Sequence, residues 1–81
     1  MSAMQKPLLI RVEWDEEAAV WSADSDDIPG LATEASTVDD LTDKLKQMIP
    51  ELLVLNGIHL AGDIAYEILI RRFDSISAHA A

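Results

Sequence analysis

Eighty-one residues carry 15 Asp and Glu against 6 Lys and Arg, a net charge of -9, with no Cys and 49% hydrophobic residues. That length holds one domain and buries only about 60% of the surface its unfolded chain exposes, so the core is small and unstapled by disulfide or Cys-based zinc. Nucleic-acid binding requires clustered Lys and Arg against phosphate, and the charge balance argues against it.

Residues 1–6 read as a flexible N-terminus with no apolar signal segment, and no run of about 18 apolar residues follows. A cytoplasmic protein with no membrane contact is expected. Leu8, Ile10, Val12 and Trp14 alternate with Leu9, Arg11 and Glu13, the period of a strand with one buried face. Asp15 to Ala19 link it to a second strand, Val20 to Asp24, as a hairpin. Ser25-Asp26-Asp27 and Ile28-Pro29-Gly30-Leu31 form a longer turn, in which Pro fixes φ and Gly supplies the permissive backbone. Leu31, Thr33 and Ala35 mark a third, weaker strand.

A helix is predicted from Val38 to the cap signal Asn56-Gly57, with Ser36 or Thr37 as N-cap and Asp39 or Asp40 three residues on. Val38, Leu41, Leu45, Met48, Ile49, Leu52 and Leu55 form its apolar stripe. Pro50 predicts a kink or restart, because it removes an N–H and crowds the preceding turn. Ile64 to Phe73 read as the last strand. It shares with the first a run apolar on both faces, Ile68-Leu69-Ile70 against Leu8-Leu9-Ile10, which fits neighbouring strands covered on each side. Residues 7–73 are thus one α+β domain of order β-β-β-α-β, with one helix on one sheet face and strand four parallel to strand one. Residues 74–81 read as a flexible tail.

Trp21-Ser22-Ala23, Ile28-Pro29-Gly30-Leu31 and Thr33-Glu34-Ala35-Ser36-Thr37, with the Leu41 to Asn56 segment behind them, resemble HicB-type antitoxins. The likeness is greatest to a short bacterial branch of that superfamily classed as a domain of unknown function, and it covers about residues 8–73. The resemblance implies a partial RNase H-like fold. It also implies binding to, and neutralisation of, a small basic RNA-cleaving toxin. Many such proteins add a C-terminal DNA-binding segment, which the residues after Phe73 are too few to form.

Residues 12–43 hold eleven carboxylates and no Lys or Arg. A non-enzymatic, acidic protein-binding module follows from that run, with Glu13, Asp15, Glu16, Glu17, Asp24, Asp26 and Asp27 as the surface that would steer a small basic, toxin-like partner. Solubility alone is the plainer reading of the same charge. Self-association, as a homodimer or higher, is expected at Leu9, Leu69 and Ile70, on the thinly covered sheet face or the edge of strand four. The alternatives are an orphan dimer with no surviving toxin partner and a metal-dependent nuclease using Asp24, Asp26 and Asp27. Against the nuclease, aspartates in a turn ordinarily cap backbone N–H groups and no calcium-loop spacing is present. His59 and His79 are isolated, the Ser residues lack a nucleophile-elbow pattern, and neither cofactor nor metal is expected. Trp14 and Trp21 are read as core before partner hot spot.

Overall fold

A computed structural model describes residues 6–79. The terminal stretches expected to be flexible therefore lie partly outside the described residues, at 1–5 and 80–81. The elements are β1 (Leu8–Asp15), β2 (Val20–Asp24), β3 (Ala32–Ala35), α1 (Val38–Leu55) and β4 (Tyr66–Arg71). They form an α+β domain whose single sheet has the order β3-β2-β1-β4. β1 pairs antiparallel with β2 and parallel with β4, and β2 pairs antiparallel with β3. The order of elements, the parallel outer strand and the lone helix agree with the sequence reading.

Register assigns the faces. Val12 opposes Ala23 and Ile70, Ile10 opposes Ile68, and Trp21 opposes Ala35. Directly paired residues share a face, so these side chains all lie on the helix side. Ile10, Val12, Ala23 and Ala35 are buried there with Leu41, Leu45, Ile49 and Leu53 of α1. Those four helix residues are spaced by four, the row that turns least around a helix surface. The expected stripe is corrected at its end: Leu53 is buried, whereas Leu55 is exposed. Leu55 follows Leu52 by three residues and so drifts off the row that faces the sheet.

Thr37 is the N-cap, its Oγ1 accepting from the Asp40 N–H at 3.0 Å. α1 runs through Pro50 as one element, so of the expected kink or restart the restart does not occur. Pro50 is exposed, which keeps its ring out of the packed row. The Ile28-Pro29-Gly30-Leu31 turn is part of the core. Ile28 and Leu31 are buried, and Asn56 Nδ2 ties the turn to the helix end by donating to the Pro29 and Leu52 carbonyls. Gly30 has φ 86°, a left-handed backbone that a Cβ would strain.

The last strand is shorter than the expected Ile64 to Phe73. It starts at Tyr66, opposite Leu8, the first residue of β1. It ends opposite Glu13. Ile64 instead packs beside the core from the connecting loop, with Ile58 and Leu60. The second face of the Leu8-Leu9-Ile10 and Ile68-Leu69-Ile70 pair is not covered as expected: Leu69 is 56% exposed.

Candidate functional site

The seven candidate carboxylates are all exposed, but the hairpin separates most of them. β1 and β2 run antiparallel, with Arg11 opposite Asp24 at one end and Asp15 opposite Val20 at the other. Asp24, Asp26 and Asp27 thus gather at one end, and Asp15, Glu16 and Glu17 at the turn. The ends are about 14 Å apart at roughly 3.4 Å per residue. A single continuous acidic surface is not what the fold builds.

The first end is internally neutralised. Arg11 projects from the open face of β1, its Nε 2.8 Å from Asp24 Oδ1 and its Nη1 and Nη2 2.7 and 3.0 Å from the two Asp26 oxygens. This fork holds the Asp26 carboxyl below its ordinary pKa, first through the hydrogen bonds and then through the positive charge. The guanidinium is correspondingly held more firmly in its charged form. Asp27 and Ser25 do a different job. β2 leaves the sheet after Asp24, yet Leu9 still directs its N–H and C=O toward where β2 would continue. Asp27 Oδ2 accepts the Leu9 N–H at 2.8 Å, and Ser25 Oγ donates to the Leu9 carbonyl at 2.6 Å. Ser25 Oγ also accepts from the Asp27 N–H at 3.1 Å. Two side chains therefore continue the ladder that the backbone abandons.

At the turn end the acids are not held in ion pairs among the described residues, although Arg71 lies opposite Glu13 in the β1–β4 register. Asp15 Oδ1 accepts the Ala18 N–H at 3.1 Å, and Ala19 takes a left-handed φ of 54°, closing the turn. Glu16 Oε2 accepts from Trp14 Nε1 at 2.9 Å. Among the described residues, none of Glu13, Asp15, Glu16 or Glu17 forms an ion pair. Beside them, Trp14 and Trp21 are cross-strand partners with ring centroids 5.0 Å apart and planes at 60°. Both rings are half-buried, and Trp21 packs against the core. Arg72 lies over them, its guanidinium 4.9 Å from the Trp14 centroid and 5.8 Å from that of Trp21. Sequence reasoning did not single out Arg72. The signal was in the register: Ile70 opposite Val12 carries residue 72 to the level of Trp14.

The residues expected to self-associate do not form one patch. Leu9 and Leu69 lie on the open sheet face, and Ile70 lies on the helix face, 46% exposed at the edge of β4. Among the described residues, no group of three or more His, Asp or Glu side chains is placed to hold a metal ion. Asp24 and Asp26 are turned onto Arg11, and Asp27 onto a backbone N–H. An open depression of about 510 Å³ lies over β2 and β3, bordered by Ser22, Asp24, Thr33, Glu34 and Lys44. A cleft of about 260 Å³ separates Ile49 and Pro50 from Ile64 and Tyr66, below the usual range of about 300–1,000 Å³ for a small-molecule site. No helix among the described residues is long and apolar enough to cross a membrane.

The class this fold defines is a small α+β domain with one helix on a four-stranded mixed sheet. The chain belongs to the DUF1902 family, a domain of unknown function, whose family model matches residues 7–76. It is similar to a hypothetical protein, TTHA1013, from the extremely thermophilic bacterium Thermus thermophilus, known from its crystal structure. The two share 43% identity with a TM-score of 0.68 over 89% of this chain and 99% of the other. No curated protein matches the chain.

Proposed function

We propose that this protein is a non-enzymatic, antitoxin-like binding module that contacts a small basic protein through the tip of its β1–β2 hairpin. The observation that carries the reading is the contrast in compensation. Asp24 and Asp26 are spent on Arg11, whereas Asp15, Glu16 and Glu17 at the turn form no ion pair among the described residues and lie next to a half-buried Trp pair, Glu16 accepting from Trp14. Aromatic anchors ringed by charge are the usual composition of a binding hot spot and its rim. The resemblance of Trp21-Ser22-Ala23 and Ile28-Pro29-Gly30-Leu31 to HicB-type antitoxins supports the same choice of partner. The nuclease reading loses ground because its candidate carboxylates are aimed at Arg11 and at the Leu9 N–H.

The test compares wild-type bait with a Glu13→Lys/Glu17→Lys variant in a lysate of the organism that encodes the protein. Both positions are exposed and carry no structural hydrogen bond through their carboxylates. Glu17→Lys should change stability by less than about 0.5 kcal/mol, and Glu13→Lys, which sets a like charge opposite Arg71, should cost up to about 1 kcal/mol. A small basic protein retained by the wild type, released at high salt and lost by the variant is the expected result. Equal retention by both baits defeats the hairpin-tip reading. Recovery of the bait alone favours the orphan dimer.

A further inference from the structure

The two edges of the sheet are protected very differently. β3 has four residues, and the Glu34 carbonyl on it accepts from Lys44 Nζ at 2.6 Å. A lysine held on an edge carbonyl is one way a strand is shielded from further pairing. β4 has six residues, no Pro, and Ile68-Leu69-Ile70 at its centre, with Leu69 56% and Ile70 46% exposed. Among the described residues, no element covers its outer edge.

We propose that β4 pairs antiparallel with β4 of a second copy of this chain, about a two-fold axis through Leu69, joining the two sheets edge to edge. The backbone restricts the register first. The Leu8 N–H donates to the Ala65 carbonyl at 3.0 Å, so Ala65, and with it Glu67, Leu69 and Arg71, directs its polar groups toward β1. Tyr66, Ile68, Ile70 and Arg72 consequently direct theirs outward. An antiparallel partner must bring outward residues opposite outward residues, which leaves only two-folds centred on a residue.

Side-chain chemistry then selects among these. The segment reads Glu67-Ile68-Leu69-Ile70-Arg71, a palindrome in polarity whose two ends carry opposite charge. Centring on Leu69 sets Glu67 opposite Arg71 of the second copy, twice by symmetry, on the open face. It sets Ile68 opposite Ile70, twice, on the helix face, and Leu69 opposite itself. Cross-strand pairs of opposite charge and of β-branched residues are the favourable ones. Centring on Ile68 or Ile70 instead puts Glu67 opposite Leu69 or Phe73 and breaks both charge pairs. The choice of a second copy over another partner rests on this self-complementarity. It rests also on charge, because chains of net charge -9 repel except along a strip such as this, where one acid and one base cancel.

Two measurements on the full chain test the proposal. The protein contains no Cys, so Leu69→Cys introduces a single thiol. A non-hydrogen-bonded antiparallel pair has Cα atoms about 4.5 Å apart, within disulfide reach. Under mild oxidation Leu69→Cys should become a covalent dimer at least about tenfold faster than Val54→Cys, a helix position that is more exposed still. In sedimentation equilibrium Glu67→Arg or Arg71→Glu alone should raise the dimer dissociation constant about tenfold, since each places like charges opposite one another twice. The double swap Glu67→Arg/Arg71→Glu should restore it to within about threefold. A monomeric wild type, a double swap no better than the single variants, or equal cross-linking at the two Cys positions would overturn the assignment.

Discussion

The two ends of the β1–β2 hairpin carry nearly the same density of acid and use it in opposite ways. At the Arg11 end the carboxylates are engaged: Asp24 and Asp26 share one guanidinium, and Asp27 with Ser25 completes the hydrogen bonding of Leu9 where β2 departs. At the turn end Asp15 and Glu16 accept only local N–H groups, and the negative charge faces solvent beside Trp14 and Trp21. A count of carboxylates treats the ends alike. Only the partners show that one end is a structural clamp and the other a candidate contact surface.

That contrast makes predictions about stability. The largest effect is expected at the turn end from Trp21→Ala, which removes a half-buried ring from the core margin and from its partner Trp14. A loss of about 2–3 kcal/mol in urea unfolding is expected, short of the cost of a fully buried aromatic. A loss below about 1 kcal/mol would show that the pair is free to serve a partner without supporting the fold. At the clamped end Ser25→Ala leaves the Leu9 carbonyl and the Asp27 N–H without their shared partner. It should cost about 1–2 kcal/mol, with faster amide exchange at Asp27, whose N–H is released. Unchanged exchange there would mean that solvent replaces the hydroxyl and the clamp is dispensable.

The smallest effect is one of pH. The Asp26 pKa is lower folded than unfolded, so its stabilising contribution is fully present above the ordinary value of 3.8 and is lost as pH falls through the lower folded value. Stability measured between about pH 5 and pH 2 should therefore fall less steeply in Asp26→Asn than in the wild type. Equal acid limbs for Asp26→Asn and wild type would remove Arg11 as the distinguishing feature of the two ends.

Most of the architecture was legible in the chain. Period-two alternation marks β1, the Thr37 cap and Asn56-Gly57 bracket α1, and the shared two-faced apolar runs of β1 and β4 foretell their pairing. These are local or nearest-neighbour properties, and residue type and spacing are sufficient to express them. The limits of β4 and of the buried helix row were not legible. They depend on where the neighbouring strand begins and ends and on which row of α1 faces the sheet. The candidate site shows the same division. Its acids, its tryptophans and its hairpin were readable from composition and pattern, but the separation of the acids into two ends was not. Arg11 lies 13 and 15 residues from Asp24 and Asp26, and Arg72 lies far along the chain from the Trp pair it covers. The sequence alone determined that this protein is an acidic α+β domain with a capped helix and a two-faced pair of strands. Tertiary structure decided which carboxylates are left unpaired, because pairing a charge is a matter of distance in space, and antiparallel and parallel registers bring together residues that the sequence keeps apart.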